Sequence, residues 1–246
     1  MKLRVTLSLL AAALILTVAH AAPPSAVQQE RVAASFLLAL GRTPTATEAA
    51  QWSGVEASVA DLIAKHRQLL TADAAVKRAV VAKAFADSFG RAATAEEITA
   101  EAAVANATYT ELMQRHVQWL AANPEAYPKI LNRVYQLVIR RDVYPEEIDY
   151  WKKKDTQSFA VLVGCVDNWG RRNQPGLMVT AGPAAVSINC VFLSTVRLSP
   201  AVAAEARVAA GLAAVTDATA GTNLLAAGAE KIVTDGRMHF AAALRE

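Results

Sequence analysis

The sequence predicts a mainly α-helical protein with three helix-loop-helix repeats of about 49–50 residues in one array, followed by a smaller irregular or short-strand segment and a C-terminal helical tail. One indication is the composition, which is 54% hydrophobic but only 6% aromatic and therefore suits closely packed helices. The stronger indication is a short pattern that recurs three times. A period of this length is typical of helical units that bury their apolar faces on neighbouring units.

The recurring pattern begins with an aromatic residue near the end of an apolar run. Its starting residues lie 49 and then 50 residues apart and are Phe36, Phe85 and Tyr135. The first copy continues to Trp52 and the third to Trp151, whereas the second has Glu101 at that position. We expect a structural role for the aromatic and glycine residues of the pattern, which are Phe36, Gly41, Trp52, Phe85, Gly90, Tyr135 and Tyr150.

Residues 1–21 have the features of a signal peptide. Lys2 and Arg4 precede the apolar run Val5–Val18, and residues 19–21 fit the small-x-small cleavage pattern. The run is about 14 residues long, shorter than the roughly 20 residues that span a bilayer. We therefore expect an exported protein, periplasmic or extracellular, with no transmembrane segment after cleavage. An uncleaved N-terminal anchor is the alternative.

The charge balance excludes a strongly basic protein. The chain has 25 Lys and Arg against 22 Asp and Glu, and cleavage removes Lys2 and Arg4, which leaves a net charge of about +1. A field this weak does not draw nucleic acid or anionic lipid to the protein. Nucleic acid is therefore not an expected partner.

Residues 22–172 form the expected repeat domain, in which each copy is read as a helix, a tight loop, a second helix and a third helix. Gly41 and Gly90 follow apolar runs, where glycine is a natural left-handed helix end. A threonine four residues later and a glutamate three residues after it predict a capping box that opens the next helix. These pairs are Thr45 with Glu48 and Thr94 with Glu97.

The third copy reaches the same helix start by different residues. It has Tyr144 at the cap position, Pro145 at the first helical position and Glu147 two residues later. It also has Arg140 in place of the loop glycine. A non-glycine residue in a left-handed turn costs on the order of 1 kcal/mol, so either Arg140 accepts that strain or the turn differs.

The third copy resembles the signature of the DUF4214 family, with the best match in residues 130–170. The residues that match are Tyr135, Arg141, Pro145, Ile148, Asp149, Tyr150 and Trp151, and the first two copies match less completely. The family is similar to linker-like helical repeats of bacterial exported and surface proteins and has no established enzymatic activity. The resemblance therefore implies a fold and a location but no reaction.

The segment 173–246 has a different character. It contains turn signals, β-prone residues, a helix start at Ser199-Pro200 and a tail rich in Ala and Gly, for which we expect weak order. The two cysteines, Cys165 and Cys190, predict a disulfide in an exported chain, worth roughly 3 kcal/mol for a loop of this size. Two separate buried thiols or a metal site are the alternatives.

Several polar residues are candidates for binding. Arg42, Arg91 and Arg141 either form a row that binds an acidic partner or bond carbonyls and acids within their own repeats. Trp151 with Lys152 and Lys153 places an aromatic ring beside cations and is a candidate patch. We interpret His66 and His116 as core residues, and Glu96, Glu97, Glu101, Glu146, Glu147 and Asp149 as acids at helix N-terminal turns. No cofactor or metal is expected.

These observations lead to one main hypothesis about function. We expect a non-catalytic exported scaffold or interaction module at the bacterial cell envelope, with a protein or an envelope polysaccharide as partner. The alternative is a carbohydrate- or cell-wall-binding module that uses Trp151 and neighbouring cations. An enzyme with a groove between the repeats and the tail is a third class.

Overall fold

The structure of the protein is a computed structural model that describes residues 25–54, 56–104, 106–152, 158–173, 176, 195–210 and 237–239. Over these ranges the chain is mainly α-helical, as the sequence predicts. The signal peptide, Lys153 and Cys190 lie outside the described residues, so the expectations about them stay predictions. So does the expectation of weak order in most of the tail.

Nine α-helices lie in the described part of residues 22–173, and we assign them to the three copies of the sequence pattern. The first copy contains α1 (Ala26–Leu40), α2 (Ala46–Ser53) and α3 (Val59–Ala72). The second contains α4 (Ala74–Phe89), α5 (Ala95–Ala103) and α6 (Tyr109–Ala122). A 3₁₀ turn (Pro124–Ala126) then leads into the third, with α7 (Tyr127–Val138), α8 (Pro145–Lys152) and α9 (Phe159–Asn173).

The short second helix of each copy begins where the sequence predicts. Thr45 caps α2 and Thr94 caps α5, each in a complete capping box with the glutamate at the third helical position. In the third copy the backbone N–H of Tyr144 donates to the Glu147 carboxylate at 2.9 Å, which is one half of the same box. The long third helices α3 and α6 also begin with capping boxes.

The core lies between the first and third helices of each copy. Helix α1 packs on α3, α4 on α6 and α7 on α9, and further contacts of α1 with α6 and of α4 with α9 join one copy to the next. The largest fully buried side chains come from all three copies and include Phe36, Leu37, Leu62, Leu70, Tyr109, Leu112, Met113, Leu120, Ile130, Leu131, Tyr135 and Leu162.

The loop glycines are places of close approach between copies. Gly41 has φ +70° and Gly90 has φ +64°, the left-handed conformation predicted for a glycine helix end. A Cβ on Gly41 would lie 2.5 Å from the ring of Tyr109, and one on Gly90 would lie 2.5 Å from the ring of Phe159. Each ring belongs to the first residue of the next copy's third helix. Glycine is therefore required at both positions, because a side chain would be strained in the left-handed conformation and its Cβ would clash with the ring.

Arg140 adopts the left-handed backbone conformation at the equivalent position of the third copy, despite its side chain. Its φ is +62°, and its N–H joins that of Ile139 on the carbonyl of Tyr135, so the hydrogen-bond pattern also differs from that of the glycine loops. Arg140 is exposed, and within the described residues no further copy follows that would bring an aromatic ring against its Cβ. A side chain is therefore tolerated there.

A buried polar cluster holds Tyr109 against Gly41. The Tyr109 hydroxyl donates to the carboxylate of Asp87, which also accepts from Lys83 Nζ at 2.9 Å. The next residue, Thr110, donates its hydroxyl to the Leu38 carbonyl at 2.8 Å. These bonds fix the start of α6 on the end of α1.

The chain after the repeats returns to the first copy. Strand β1 (Thr195–Arg197) pairs antiparallel with β2 (Arg237–His239), and α10 (Pro200–Ala209) packs on α1 and α3. Glu205 of α10 forms an ion pair with Arg31 at 2.7 Å and accepts the N–H of Val59 at 3.1 Å. The Ser199 side chain does not cap α10, although the helix begins at the predicted Pro200.

No helix within the described ranges has both the length and the apolar character needed to cross a bilayer.

The turn residues give a prediction about stability. Gly90→Ala should lower the free energy of unfolding by at least about 1–2 kcal/mol, since alanine pays the left-handed backbone strain and its Cβ displaces the Phe159 ring. Arg140→Gly should raise it by up to about 1 kcal/mol, because the same strain is relieved where nothing else is lost. Urea unfolding of both variants tests this, and a Gly90→Ala variant as stable as the wild type would contradict it.

Candidate functional site

The candidate site is defined by one position of the repeat, which carries tryptophan in two copies and glutamate in the other. In the first copy Trp52 stacks on His66, with ring centroids 4.2 Å apart and planes 22° apart. The indole also meets the ring of Phe36 edge-on at 5.6 Å. Trp52 thus shields the polar imidazole of His66 from solvent.

Trp151 occupies this position in the third copy and is 5% exposed. Its Nε1 donates to the Tyr135 hydroxyl at 2.9 Å. The binding patch proposed from the sequence is therefore wrong in its aromatic member, because a buried indole offers no face to a ligand. Lys152 is exposed, and Tyr150, expected to be structural, is 44% exposed.

The second copy is open at this position. Glu101 lies in the last turn of α5, not in an N-terminal turn as expected, and a pocket of about 590 Å³ lies where an indole would pack. We call this cavity the second-copy pocket. Helices α4 to α7 and the 3₁₀ turn line it with Phe85, Phe89, Arg91, Glu97, Glu101, Arg115, His116, Trp119, Ala126, Lys129, Ile130 and Arg133.

Aromatic rings form the base and one wall of the pocket. The ring centroids of Phe85 and Phe89 lie 4.6 and 4.9 Å from that of His116. Trp119 stands edge-on to Phe89 at 5.6 Å and is 49% exposed. A half-exposed indole beside a cavity is a common feature of binding sites, because it offers a large apolar face at little entropic cost.

The charges around the pocket are unevenly paired. Arg91 forms a bidentate ion pair with Glu97, whereas Arg115 donates through a single Nη to Glu101. Lys129 and Arg133 have no acidic partner among the described residues, although Arg133 Nη1 donates to the Phe89 carbonyl at 2.7 Å. The pocket therefore carries an excess of positive charge at the α7 side.

His116 lies at the base of the pocket as a neutral imidazole. Its Nδ1 is 2.9 Å from the Ser88 hydroxyl, and burial lowers its pKa to about 4. Its Nε2 is buried without a hydrogen-bond partner and is 3.9 Å from a carboxylate oxygen of Glu101. His66 differs, since its Nε2 is bonded to Ser35 at 3.2 Å. Both are core histidines, as expected, but each has one unpartnered nitrogen.

The three loop arginines are committed to their own copies. Arg42, Arg91 and Arg141 each make a bidentate pair with the glutamate six residues later and donate to the next residue's carbonyl. Each guanidinium also lies over the starting aromatic ring of its copy, at 5.2–5.6 Å. Of the two roles considered for these arginines, the contacts therefore favour bonding within their own copies over a row of unpaired charges for an acidic partner.

These ion pairs also lower the pKa values of the glutamates. The guanidinium of Arg42 lowers the pKa of Glu48 to about 2, and that of Arg91 does the same for Glu97. Since the same carboxylates accept the backbone N–H at the helix start, one glutamate connects the loop, the cap and the aromatic ring. The role of the arginines that the geometry supports is structural.

Cys165 is buried on α9, as expected for its position in the repeat. Its proposed bond to Cys190 cannot be described, because Cys190 lies outside the described residues. Within those residues no three His, Cys, Asp or Glu side chains gather in a way that would hold a metal ion.

Comparison of the chain with protein-family models, curated proteins and solved structures finds no match. The resemblance of residues 130–170 to the DUF4214 family therefore stays an expectation.

Sequence reasoning identified the change at Glu101 but not its consequence. The absent tryptophan was visible as a departure from the repeat pattern. Trp119, Lys129 and Arg133 were not singled out, because they belong to the third helix and to the first helix of the following copy. Only the packing of α6 against the start of α7 brings them to the same cavity.

Trp151 gives a second stability prediction. Trp151→Ala should lower the free energy of unfolding by roughly 3 kcal/mol, because it leaves a cavity and an unpaired Tyr135 hydroxyl. Trp119→Ala is the matched control and should cost less than about 1 kcal/mol, since Trp119 is half exposed. Equal losses for the two variants in urea unfolding would refute the distinction.

A third prediction concerns the loop arginines. Arg141→Ala should destabilise the protein by roughly 1–3 kcal/mol, because the half-buried Glu147 carboxylate loses its bidentate partner. Arg78→Ala removes an exposed arginine that forms no ion pair in the described part of the chain, and its effect should stay within about 0.5 kcal/mol. Thermal unfolding measures both, and an unchanged melting temperature of Arg141→Ala would contradict the structural role.

The two histidines predict how stability depends on pH. Their pKa values in the folded protein are about 4, below the unfolded value of 6.5, because burial disfavours the charged ring. Between these values the unfolded chain binds more protons. The contribution of each histidine to the free energy of unfolding should therefore fall as the pH falls from 6.5, by up to about 1.4 kcal/mol per pH unit. Asp87, whose burial raises its pKa to about 7, contributes with the opposite sign in the same range.

Guanidinium unfolding between pH 7 and pH 5 measures this slope. The free energy of unfolding of the variant His66→Gln/His116→Gln should fall less than that of the wild type over this acidification, whatever its absolute stability. The interpretation fails if wild type and variant have the same slope.

Proposed function

We propose that the protein is a non-catalytic exported interaction module of the bacterial cell envelope. The helical repeats would serve as a scaffold, and the second-copy pocket would bind the partner. The observation that carries this proposal is the exchange of tryptophan for Glu101, which leaves a cavity of about 590 Å³ at a position that Trp52 and Trp151 occupy in the other copies.

The paired charges of the pocket favour binding without rearrangement. The two ion pairs, Arg91 with Glu97 and Arg115 with Glu101, hold the polar wall in one geometry before any partner arrives. Preorganised groups lose less conformational entropy on binding. The signal-like N-terminus and the low net charge support export and a partner other than nucleic acid.

Cell fractionation tests the proposal. The chain is expressed in a bacterial host from Met1, and we expect it in the envelope fraction with a mass that corresponds to loss of residues 1–21. Glu101→Trp should fill the pocket and release the protein to the soluble exported fraction, while Glu101→Gln, of similar size to the native residue, should stay with the envelope. Retention in the cytoplasm, or identical fractionation of the two variants, would contradict the proposal.

A second candidate function is favoured by one specific observation. Trp119 is 49% exposed and lines the pocket with Lys129 and Arg133, an arrangement suited to stacking of a sugar ring. This version of the carbohydrate-binding hypothesis uses Trp119 in place of Trp151. Affinity electrophoresis in gels that contain peptidoglycan fragments should show retardation that Trp119→Ala abolishes and Tyr150→Ala, an exposed aromatic outside the pocket, does not.

A further inference from the structure

We propose that the second-copy pocket binds a planar aromatic ring that carries a carboxylate. The source is either a free aromatic acid or the C-terminal residue of a peptide. The inference rests on the proposed function in that it names the ligand class of the same pocket.

The first copy shows which group completes the core at this position. There, Phe36 stands edge-on to His66 with ring centroids 4.5 Å apart, and the indole of Trp52 stacks on the imidazole. In the second copy Phe85 and His116 have nearly the same arrangement, with centroids 4.6 Å apart. In the second copy no indole packs on His116, whose ring instead contacts that of Phe89 at 4.9 Å and stays buried. The exposed aromatic surface that the pocket offers to a ligand ring is therefore that of Trp119, which is 49% exposed.

The charge of the ligand follows from the cations that remain unpaired. Arg91 and Arg115 are already matched by Glu97 and Glu101. Lys129 and Arg133 lie one turn apart on α7 and line the pocket without an acidic partner among the described residues. A carboxylate is the group that this pair recognises, because it accepts hydrogen bonds from both side chains and balances their charge.

The size of the pocket agrees with such a ligand. A volume of about 590 Å³ lies within the range of roughly 300–1,000 Å³ for small-molecule sites. An indole with a short carboxylate arm fits with room to spare, and so does a C-terminal tryptophan. The exposed face of Trp119 can stack on the ring of the ligand.

Isothermal titration calorimetry on the purified mature chain tests the ligand class. The probes are indole-3-acetate, its neutral analogue indole-3-ethanol, and a tripeptide with a C-terminal tryptophan, used as the free acid and as the amide. We expect at least one of the two acids to bind at least tenfold more tightly than its neutral counterpart. Binding of indole-3-acetate assigns the pocket to free aromatic acids, and binding of the peptide acid alone assigns it to C-termini.

Two variants locate the binding. Glu101→Trp copies the residue of the other two repeats, so it should fold and bind the acids at least tenfold more weakly. Arg133→Gln should reduce the preference for acid over neutral probe at least fivefold, while Arg78→Gln, an exposed arginine outside the pocket, should change nothing. Arg133→Gln decides the question even if Glu101→Trp does not fold.

Three results would overturn the inference: no binding of either acid at millimolar concentration, equal affinity for acid and neutral probes, or unchanged affinity in Glu101→Trp. These outcomes are independent of the fractionation experiment. An envelope association that Glu101→Trp abolishes, without binding of any acid probe, would leave the pocket as the partner site and reject only the ligand class.

Discussion

The structure depends on the left-handed turn that ends the first helix of each copy. In the first two copies this turn brings the backbone against an aromatic ring at the start of the next copy's third helix, so close that a Cβ would lie 2.5 Å from the ring. The same contact fixes the spacing of the helices and thus the place of everything between them. The third copy has no such neighbour in the described chain, and there Arg140 adopts the turn with a side chain.

The loop after each turn is held by one glutamate. Its carboxylate accepts the backbone N–H at the start of the next helix and both Nη groups of the loop arginine, whose guanidinium lies over the aromatic ring that begins the copy. This arrangement explains why the charged residues that recur in every copy are engaged in structural contacts. It also means that a binding site has to be sought where the copies differ, not where they agree.

The largest difference is at the tryptophan position. In the first and third copies an indole completes the core, stacked on His66 or bonded to Tyr135. In the second copy Glu101 pairs instead with Arg115, and a cavity lies beside Trp119 while His116 stays buried. Glutamate in place of tryptophan at this position thus leaves a pocket, and the basic side chains of Lys129 and Arg133 on α7 give the pocket a positive charge. The rest of the helical scaffold does not have to change for the pocket to form.

The sequence by itself determined the helical class, the spacing of the copies, the left-handed glycines and the capping boxes, because each depends on residues within one turn or one loop of each other. It also exposed the missing tryptophan. The tertiary structure alone decided that Trp151 is buried, that α10 returns to α1 and α3, and that Trp119, Lys129 and Arg133 share one cavity with Glu101. These facts depend on which helix faces meet across long stretches of chain, and local periodicity carries no information about that choice.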